Sequence, residues 1–307
     1  VAGRRSVGRG SRRRGEEWPD EAVRASWRTL SVSGPFDGDQ LLAFLAARAI
    51  PGVERVEHGV FRRALALAHG PAVVELDLGR PDRVRFRLAA GDSRDRRDAI
   101  ARCRRLLGID ADPAQARAAL ADDPLLGPLV ASRPGLRVPG TLDGSELLVR
   151  AIVNQQVSLG AGRTVLGRIA SDFGQALPHS EERLVPPPER LAEIDPATLP
   201  MPRARGRAVV AACAAIASGR LDLKVGADPE TTRAALLALP GIGDWTASYV
   251  AMRALRDPDA FLATDLGIRR ALARLGRRTD RRSVEELAAR WRPWRAYAAQ
   301  HLWASVA

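Results

Sequence analysis

Two stretches near the front of the chain alternate between apolar and polar residues. Val74, Leu76 and Leu78 alternate with Glu75 and Asp77, and Val84, Phe86 and Leu88 alternate with Arg83, Arg85 and Arg87. Period two predicts strands with one face buried and one face wet. The Gly79–Asp82 stretch between them holds Gly, Pro and Asp, so the pair is expected to form an antiparallel hairpin. Leu41, Leu42, Phe44, Leu45 and Ala49 recur at helical spacing behind a start signal at Asp37–Asp39, and a second helix is expected over Ser93–Leu107. From Trp27 to about Leu107 the pattern is that of a small α+β unit.

Beyond Asp110 the strand signal fades. Helical stretches follow one another, punctuated by Pro134-Gly135, Pro139-Gly140, Pro186-Pro187-Pro188, Pro200–Pro202 and Pro240-Gly241. Short connections of this kind suggest a globular helical array rather than a coiled coil. The expected fold class is therefore α+β, with an α+β domain over residues 25–108 and a mostly α-helical domain over 109–307. Residues 1–24 are rich in Gly, Ser and Arg without apolar periodicity and read as a disordered basic arm.

Charge changes this picture. The 307 residues carry a formal +12, with a single lysine, Lys224. Arg4, Arg5, Arg9, Arg12, Arg13 and Arg14 precede the first acid, Glu16, so about half of the excess lies in the arm and the rest in the body. A basic body suggests a polyanion, nucleic acid first; a genome that favours arginine would give ordinary solvated faces instead. No apolar run approaches the ~18–20 residues of a membrane span, so a soluble intracellular protein is expected. Cys103 and Cys213 stand far apart, as do His58, His69, His179 and His301, so neither a zinc site nor an iron–sulfur cluster fits, and no cofactor is expected. The chain opens on Val1, which reads either as an alternative start or as the rear part of a longer chain.

The most specific local signal is Leu239-Pro240-Gly241-Ile242-Gly243-Asp244-Trp245-Thr246-Ala247. A helical run is expected to stop at Pro240, and Asp244 to cap a new helix from Trp245 to about Leu255. Two glycines permit a tight hairpin whose backbone amides approach another chain closely, and amides at a helix start favour a phosphate. A plain turn between helices is the alternative. No Lys-Ser/Thr follows, so this is not a nucleotide-cradling loop.

Twenty positions after Trp245 stands Asp265, in Phe261-Leu262-Ala263-Thr264-Asp265-Leu266-Gly267-Ile268. With these motifs the chain resembles the helix-hairpin-helix DNA glycosylase superfamily, and within it the AlkA-type DNA-3-methyladenine glycosylase II. The likeness extends to Leu42–Ile50, Arg133–Gly140, Arg150–Ser158 and Arg290–Trp303 in the same order. It implies an N-terminal domain like half a TATA-binding protein, followed by a helical glycosylase domain.

The resemblance implies a catalytic role for Asp265, and the chemistry supports one. Breaking an N-glycosidic bond puts positive charge on the sugar, which a carboxylate stabilises. Taken alone, Asp265 reads first as a helix cap. The resemblance places Trp245, Tyr249, Trp303 and Gln155 in the base pocket and assigns Leu239, Pro240, Gly241, Ile242, Gly243 and Thr246 to a DNA-binding hairpin. It also implies a monovalent cation on the backbone carbonyls of Leu237, Leu239 and Ile242, with no side-chain metal ligands. In lyase relatives a lysine stands where this chain has Trp245, so a monofunctional hydrolase leaving an abasic site is expected. Two positions depart from the family. Ala304 follows Trp303 where the family has tyrosine, and Gln156 holds the place of an apolar wedge.

Seven of the chain's fourteen aromatics fall between Trp245 and Trp303. Electron-rich rings suit a cationic base such as 3-methyladenine, whereas Trp291, Trp294 and Tyr297 are expected in helix cores. Arg133, Arg137, Arg150, Arg163, Arg269 and Arg270 are candidate phosphate contacts. The implied partner is duplex DNA with alkylated bases, bound by a monomer in the bacterial cytoplasm at the nucleoid, with no membrane. Fusion to, or work beside, a methyl-transferring repair or regulatory domain is also implied. Two rival readings are a glycosylase of this superfamily for another lesion and a non-catalytic lesion-binding protein.

Overall fold

In the computed structural model, which describes residues 26–80, 83–178 and 180–306, the Asp37 carboxylate accepts from the Gln40 N–H and starts α1 (Gly38–Arg48). Around it β1 (Arg28–Leu30), β2 (Glu54–Glu57), β3 (Val60–Leu67), β4 (Gly70–Asp77) and β5 (Val84–Ala90) form an antiparallel sheet in the order β1-β5-β4-β3-β2. A short 3-10 turn at Ser93–Asp95 leads into α2 (Arg96–Leu107), which ends on Gly108 in the left-handed region. Leu41, Leu45, Phe61, Leu76, Phe86, Cys103 and Leu107 form the core between sheet and helices. The basic arm read over residues 1–24 lies outside the described residues.

One expectation about the sheet is corrected. Glu75 and Asp77 on β4 do not face water; they are 6% and 9% exposed. Both faces of this central strand are covered, because Leu177 and Leu184 pack on Ala64 and Val73. The buried carboxylates are matched by guanidiniums: Glu75 takes Arg62 at 2.6 Å and Arg87 at 2.6 Å, and Asp77 takes Arg85 at 2.9 Å. Pairing of this kind is what burial of charge demands.

The remainder is helical: α3 (Ala114–Ala121), α4 (Gly127–Ser132), α5 (Gly144–Val153), α6 (Leu159–Phe173), α7 (Pro188–Ala192), α8 (Arg203–Ala217), α9 (Pro229–Leu237), α10 (Asp244–Val250), α11 (Leu266–Arg274), α12 (Arg281–Ala288) and α13 (Arg295–Ala304). The fold class is α+β. Two apolar cores serve the helices, one around α5, α6 and α8 and the other around α11, α12 and α13. Helix α10 contributes Ala247 and Val250 to the first, and the turn after it contributes Ala251 and Met252 to the second. Trp291 and Tyr297 are buried in the second core with Trp294 packed against it, as their spacing predicts. Among the described residues no helix is long and apolar enough to cross a membrane.

Two candidate phosphate contacts turn out to be internal ties. Arg137 is 1% exposed and donates to the carbonyls of Ala111, Ser33 and Pro35. Arg150 on α5 joins Arg63 on β3 in a buried network with Glu54 and Glu146, with Arg63–Glu54 and Arg150–Glu54 at 2.7 Å and Arg63–Glu146 at 2.8 Å. Burial would raise the Glu146 carboxyl, but Arg63 and Arg150 hold it down to about 2. The network fastens the sheet to the helices beside the cleft described next.

Candidate active site

Asp265 sits at the head of α11 and accepts the Ile268 N–H at 3.0 Å through Oδ1. It is a helix cap, and it is more than that. The indole N–H of Trp303 donates to Oδ1 at 2.7 Å, and that of Trp245 donates to Oδ2 at 2.9 Å. Three donors from three helices hold one half-buried carboxylate in a fixed orientation. Gly267 makes this possible, since a Cβ there would lie 2.8 Å from Cδ1 of the Trp303 ring.

The carboxylate lines a cleft of about 720 Å³ between α1, α10 and α13. Trp245 and Tyr249, one helical turn apart on α10, stack at 5.2 Å with planes 6° apart. Phe44 and Arg48 enter from α1, and Trp303 and Ala304 from α13. After Val250 the chain widens into a π turn, Ala251–Leu255, ending on Arg256 with φ 61°. Within that turn Arg253 continues the face of Trp245 and Tyr249 into the floor of the cleft. Burial pulls the Arg253 guanidinium down to about 10, which still leaves it charged at neutral pH. Burial would raise the Tyr249 hydroxyl, but Arg253 and Arg48 beside it bring its pKa below the usual value.

The hairpin runs from α9 to α10, with Pro240, Gly241 and Gly243 exposed and Ile242 buried. Gly241 has φ +78°, a conformation that few side chains accept. Asp244 does not cap α10 as expected. The N-cap is Gly243, and the Asp244 carboxylate instead pairs with Arg233 at 2.7 Å and Arg281 at 3.1 Å. The Leu239 carbonyl accepts from the Ile242 N–H at 3.2 Å, whereas among the described residues no backbone hydrogen bond reaches the carbonyls of Leu237 and Ile242. Those oxygens keep the lone pairs a monovalent cation would need, so this turn fits one.

The sequence-predicted residues divide into three groups. Trp245, Tyr249, Asp265 and Trp303 come together in the cleft, with Ala304 at its wall. Gln155 does not line it. Its amide donates to the Gly241 carbonyl and to the Thr246 hydroxyl, each at 3.0 Å, so it braces the hairpin from the turn after α5. Thr246 is 2% exposed and bound by that amide, and its side chain is internal. Gln156 is exposed, with φ 56°, on the turn before α6, next to the exposed apolar Val157 and Leu159. Arg133 and Arg163 line the cleft, and Arg269 and Arg270 lie on α11 behind Asp265. Phe44, Arg48, Arg253 and Gln300 are cleft residues the sequence reading missed. The spacing Trp245, Tyr249, Arg253 was the available signal, because steps of four keep one helical face.

Comparison with known proteins completes the site. A family model described as the AlkA N-terminal domain matches residues 27–143. The chain is 45% identical over 293 residues to the "Probable bifunctional transcriptional activator/DNA repair enzyme AlkA" of Mycobacterium tuberculosis, covering 93% of this chain and spanning 59% of that relative's length. It is 35% identical over 281 residues to DNA-3-methyladenine glycosylase 2 of Escherichia coli, covering 90% of this chain and 96% of the relative. The solved 3-methyladenine DNA-glycosylase from Archaeoglobus fulgidus superposes with a TM-score of 0.78 at 22% identity, over 90% of this chain and 97% of that one, a likeness of fold.

Proposed function

The chain belongs to the AlkA family of DNA-3-methyladenine glycosylases, and from that premise we infer that it hydrolyses the N-glycosidic bond of alkylated bases in duplex DNA. The observation that carries this reading is Asp265, held by the two indole N–H groups of Trp245 and Trp303 inside a deep cleft. As the bond to the base breaks, positive charge gathers on the sugar carbon, and a fixed carboxylate beside it stabilises that charge. Water then supplies the hydroxyl, leaving an abasic site. Trp245 stands where a lyase would carry its lysine, and Lys224 is exposed and remote from the site's motifs, which supports a monofunctional enzyme.

The base would be flipped out of the duplex against the Trp245–Tyr249 pair and Trp303. Gln156 would fill the gap it leaves; the left-handed backbone there and the exposed Val157 and Leu159 beside it support that role. The hairpin Leu239–Gly243 would hold a phosphate by its amides, and the Leu237, Leu239 and Ile242 carbonyls would hold the cation. Such a cation supplies positive charge opposite a phosphate. The division into an N-terminal domain over residues 25–108 and a glycosylase domain over 109–307 belongs to the same reading, as does action as a monomer. Work joined to or beside a methyl-transferring domain draws its support from the bifunctional name of the M. tuberculosis relative.

The test is to incubate the protein with methylated duplex DNA and identify the free bases by chromatography, with Asp265→Asn alongside. Asparagine caps a helix as well as aspartate, so the variant removes the charge and keeps the cap. Release of 3-methyladenine is expected from the wild type and should fall by about 100-fold or more in the variant. Undiminished release would leave Asp265 a cap and nothing else.

A further inference from the structure

The cleft carries more positive charge than a pocket for a cationic base calls for. Six arginines line it against three carboxylates. Arg63 and Arg150 are matched by Glu54 and Glu146, Arg133 lies 3.9 Å from Asp37 and Arg163 is tied to the Ala49 carbonyl, so with Asp265 as the one carboxylate left in the lining Arg48 and Arg253 remain without a matching acid. These two lie among the rings. The Arg253 guanidinium carbon is 4.9 Å from the Phe44 ring centre, 5.5 Å from Tyr249 and 5.4 Å from Trp303, and that of Arg48 is 3.9 Å from Phe44. The electron-rich faces that would draw a cationic base therefore already hold guanidiniums.

Arg253 is also fixed in place. It is 2% exposed, with Nη1 donating to the Pro139 carbonyl at 2.7 Å and Nη2 to Gln300 Oε1 at 3.1 Å. Its Nε is buried without a hydrogen-bond partner among the described residues. With both terminal nitrogens tied and Nε sealed from solvent, Arg253 presents its charge to the cleft rather than a free N–H.

We propose that Arg253, with Arg48 beside it, acts on the departing base: its positive charge stabilises negative charge on an uncharged lesion base, so these two guanidiniums set how well the cleft releases neutral lesions relative to cationic ones. This rests on the glycosylase reading above. When the C1′–N bond breaks, its electron pair goes to the base nitrogen. A cationic base becomes neutral and needs no help. A neutral base becomes an anion, and the guanidinium meets that charge. One water balances the step, its hydroxide joining C1′ beside Asp265 and its proton going to the base nitrogen. Arg253 thus serves the base end of the bond and Asp265 the sugar end.

The experiment compares single-turnover release of hypoxanthine, a neutral base, and 7-methylguanine, a cationic one, from otherwise identical duplexes. The proteins are the full chain and its Arg253→Met, Arg253→Lys and Arg48→Gln variants. Arg253→Met should lower the hypoxanthine to 7-methylguanine ratio by about 100-fold, the scale of losing one charge-stabilising group. Lysine at the same position should restore most of that ratio, and Arg48→Gln should shift it the same way by less. A purely structural role would lower both releases together and leave the ratio unmoved, which overturns the inference. If Arg253→Met does not fold, Arg48→Gln decides, and an unshifted ratio there overturns it. Wild-type release of 7-methylguanine without hypoxanthine overturns this inference alone. Release of neither base overturns the glycosylase reading with it.

Discussion

Asp265 shows how one side chain serves two ends. The cap to Ile268 fixes where α11 starts, and the same carboxylate then takes indole N–H groups from α10 and α13. Hydrogen bonds to a charged acceptor contribute about 1.5–3 kcal/mol each, so the two indoles outweigh the cap, at about 1 kcal/mol, in deciding where the carboxylate points. His301, on α13 two residues before Trp303, is a different case. It is 3% exposed, its Nδ1 has no partner among the described residues, and burial, with Arg133 nearby, lowers its pKa from 6.5 to about 4. The folded protein keeps it neutral while the unfolded chain takes up its proton, so stability is full above pH 6.5 and is lost as pH falls towards 4. At pH 5 the loss is about 2 kcal/mol. Urea unfolding at pH 7 and pH 5 should show this loss in the wild type and a smaller one in His301→Leu. An equal pH dependence in both proteins would contradict the assignment.

At the scale of elements, the site is a meeting of helix ends and turns. Helix α10 is short, passes into a π turn and is shared between two cores, so its Trp245 face has little room to tilt. Helix α11 approaches α13 closely at Gly267. Alanine there would meet the Trp303 ring at 2.8 Å. Glycine to alanine in a helix ordinarily favours folding by up to about 1 kcal/mol, but relieving the contact with the ring costs about 1–3 kcal/mol, so Gly267→Ala should lose up to about 2 kcal/mol of stability. Displacing the indole from Asp265 should also slow base release by about tenfold or more, since a misplacement of about 1 Å at a catalytic group costs on that order. Thermal unfolding and a release assay on the same preparation test the pair of effects. Unchanged release would mean that the Trp303–Asp265 bond does not matter to the chemistry.

At the scale of the whole molecule, the sheet and the helical region are tied by buried arginines rather than by apolar contact alone. Arg63 and Arg150 meet Glu54 and Glu146, Arg163 donates to the Ala49 carbonyl at 2.7 Å, and Arg137 gathers three carbonyls. These ties hold α1, with Phe44 and Arg48, against the helices that carry Asp265. Glu146→Ala would leave Arg63 and Arg150 sharing one carboxylate in a buried place. Removing one partner of such a group costs about 3–5 kcal/mol. Denaturant unfolding should show a loss of that size, and a change below about 0.5 kcal/mol would mark the network as solvated.

Much of this was legible beforehand. Period two in Val84–Leu88 and the Asp37 start signal found β5 and α1, because local geometry alone sets those patterns. The spacing of Trp245 and Asp265 located the centre of the cleft through its family likeness. What the sequence could not decide was which polar groups end up inside. Glu75 and Asp77 alternate like a wet face, yet Leu177 and Leu184 arrive from a hundred residues away to cover them. Arg137 and Arg150 look like surface charges until carbonyls and carboxylates from distant segments close around them. Arg253 looks like one more basic residue until the π turn sets it under the rings. An arginine has the same chemistry on a surface or in a core, and only the long-range packing that brings its partners together distinguishes the two.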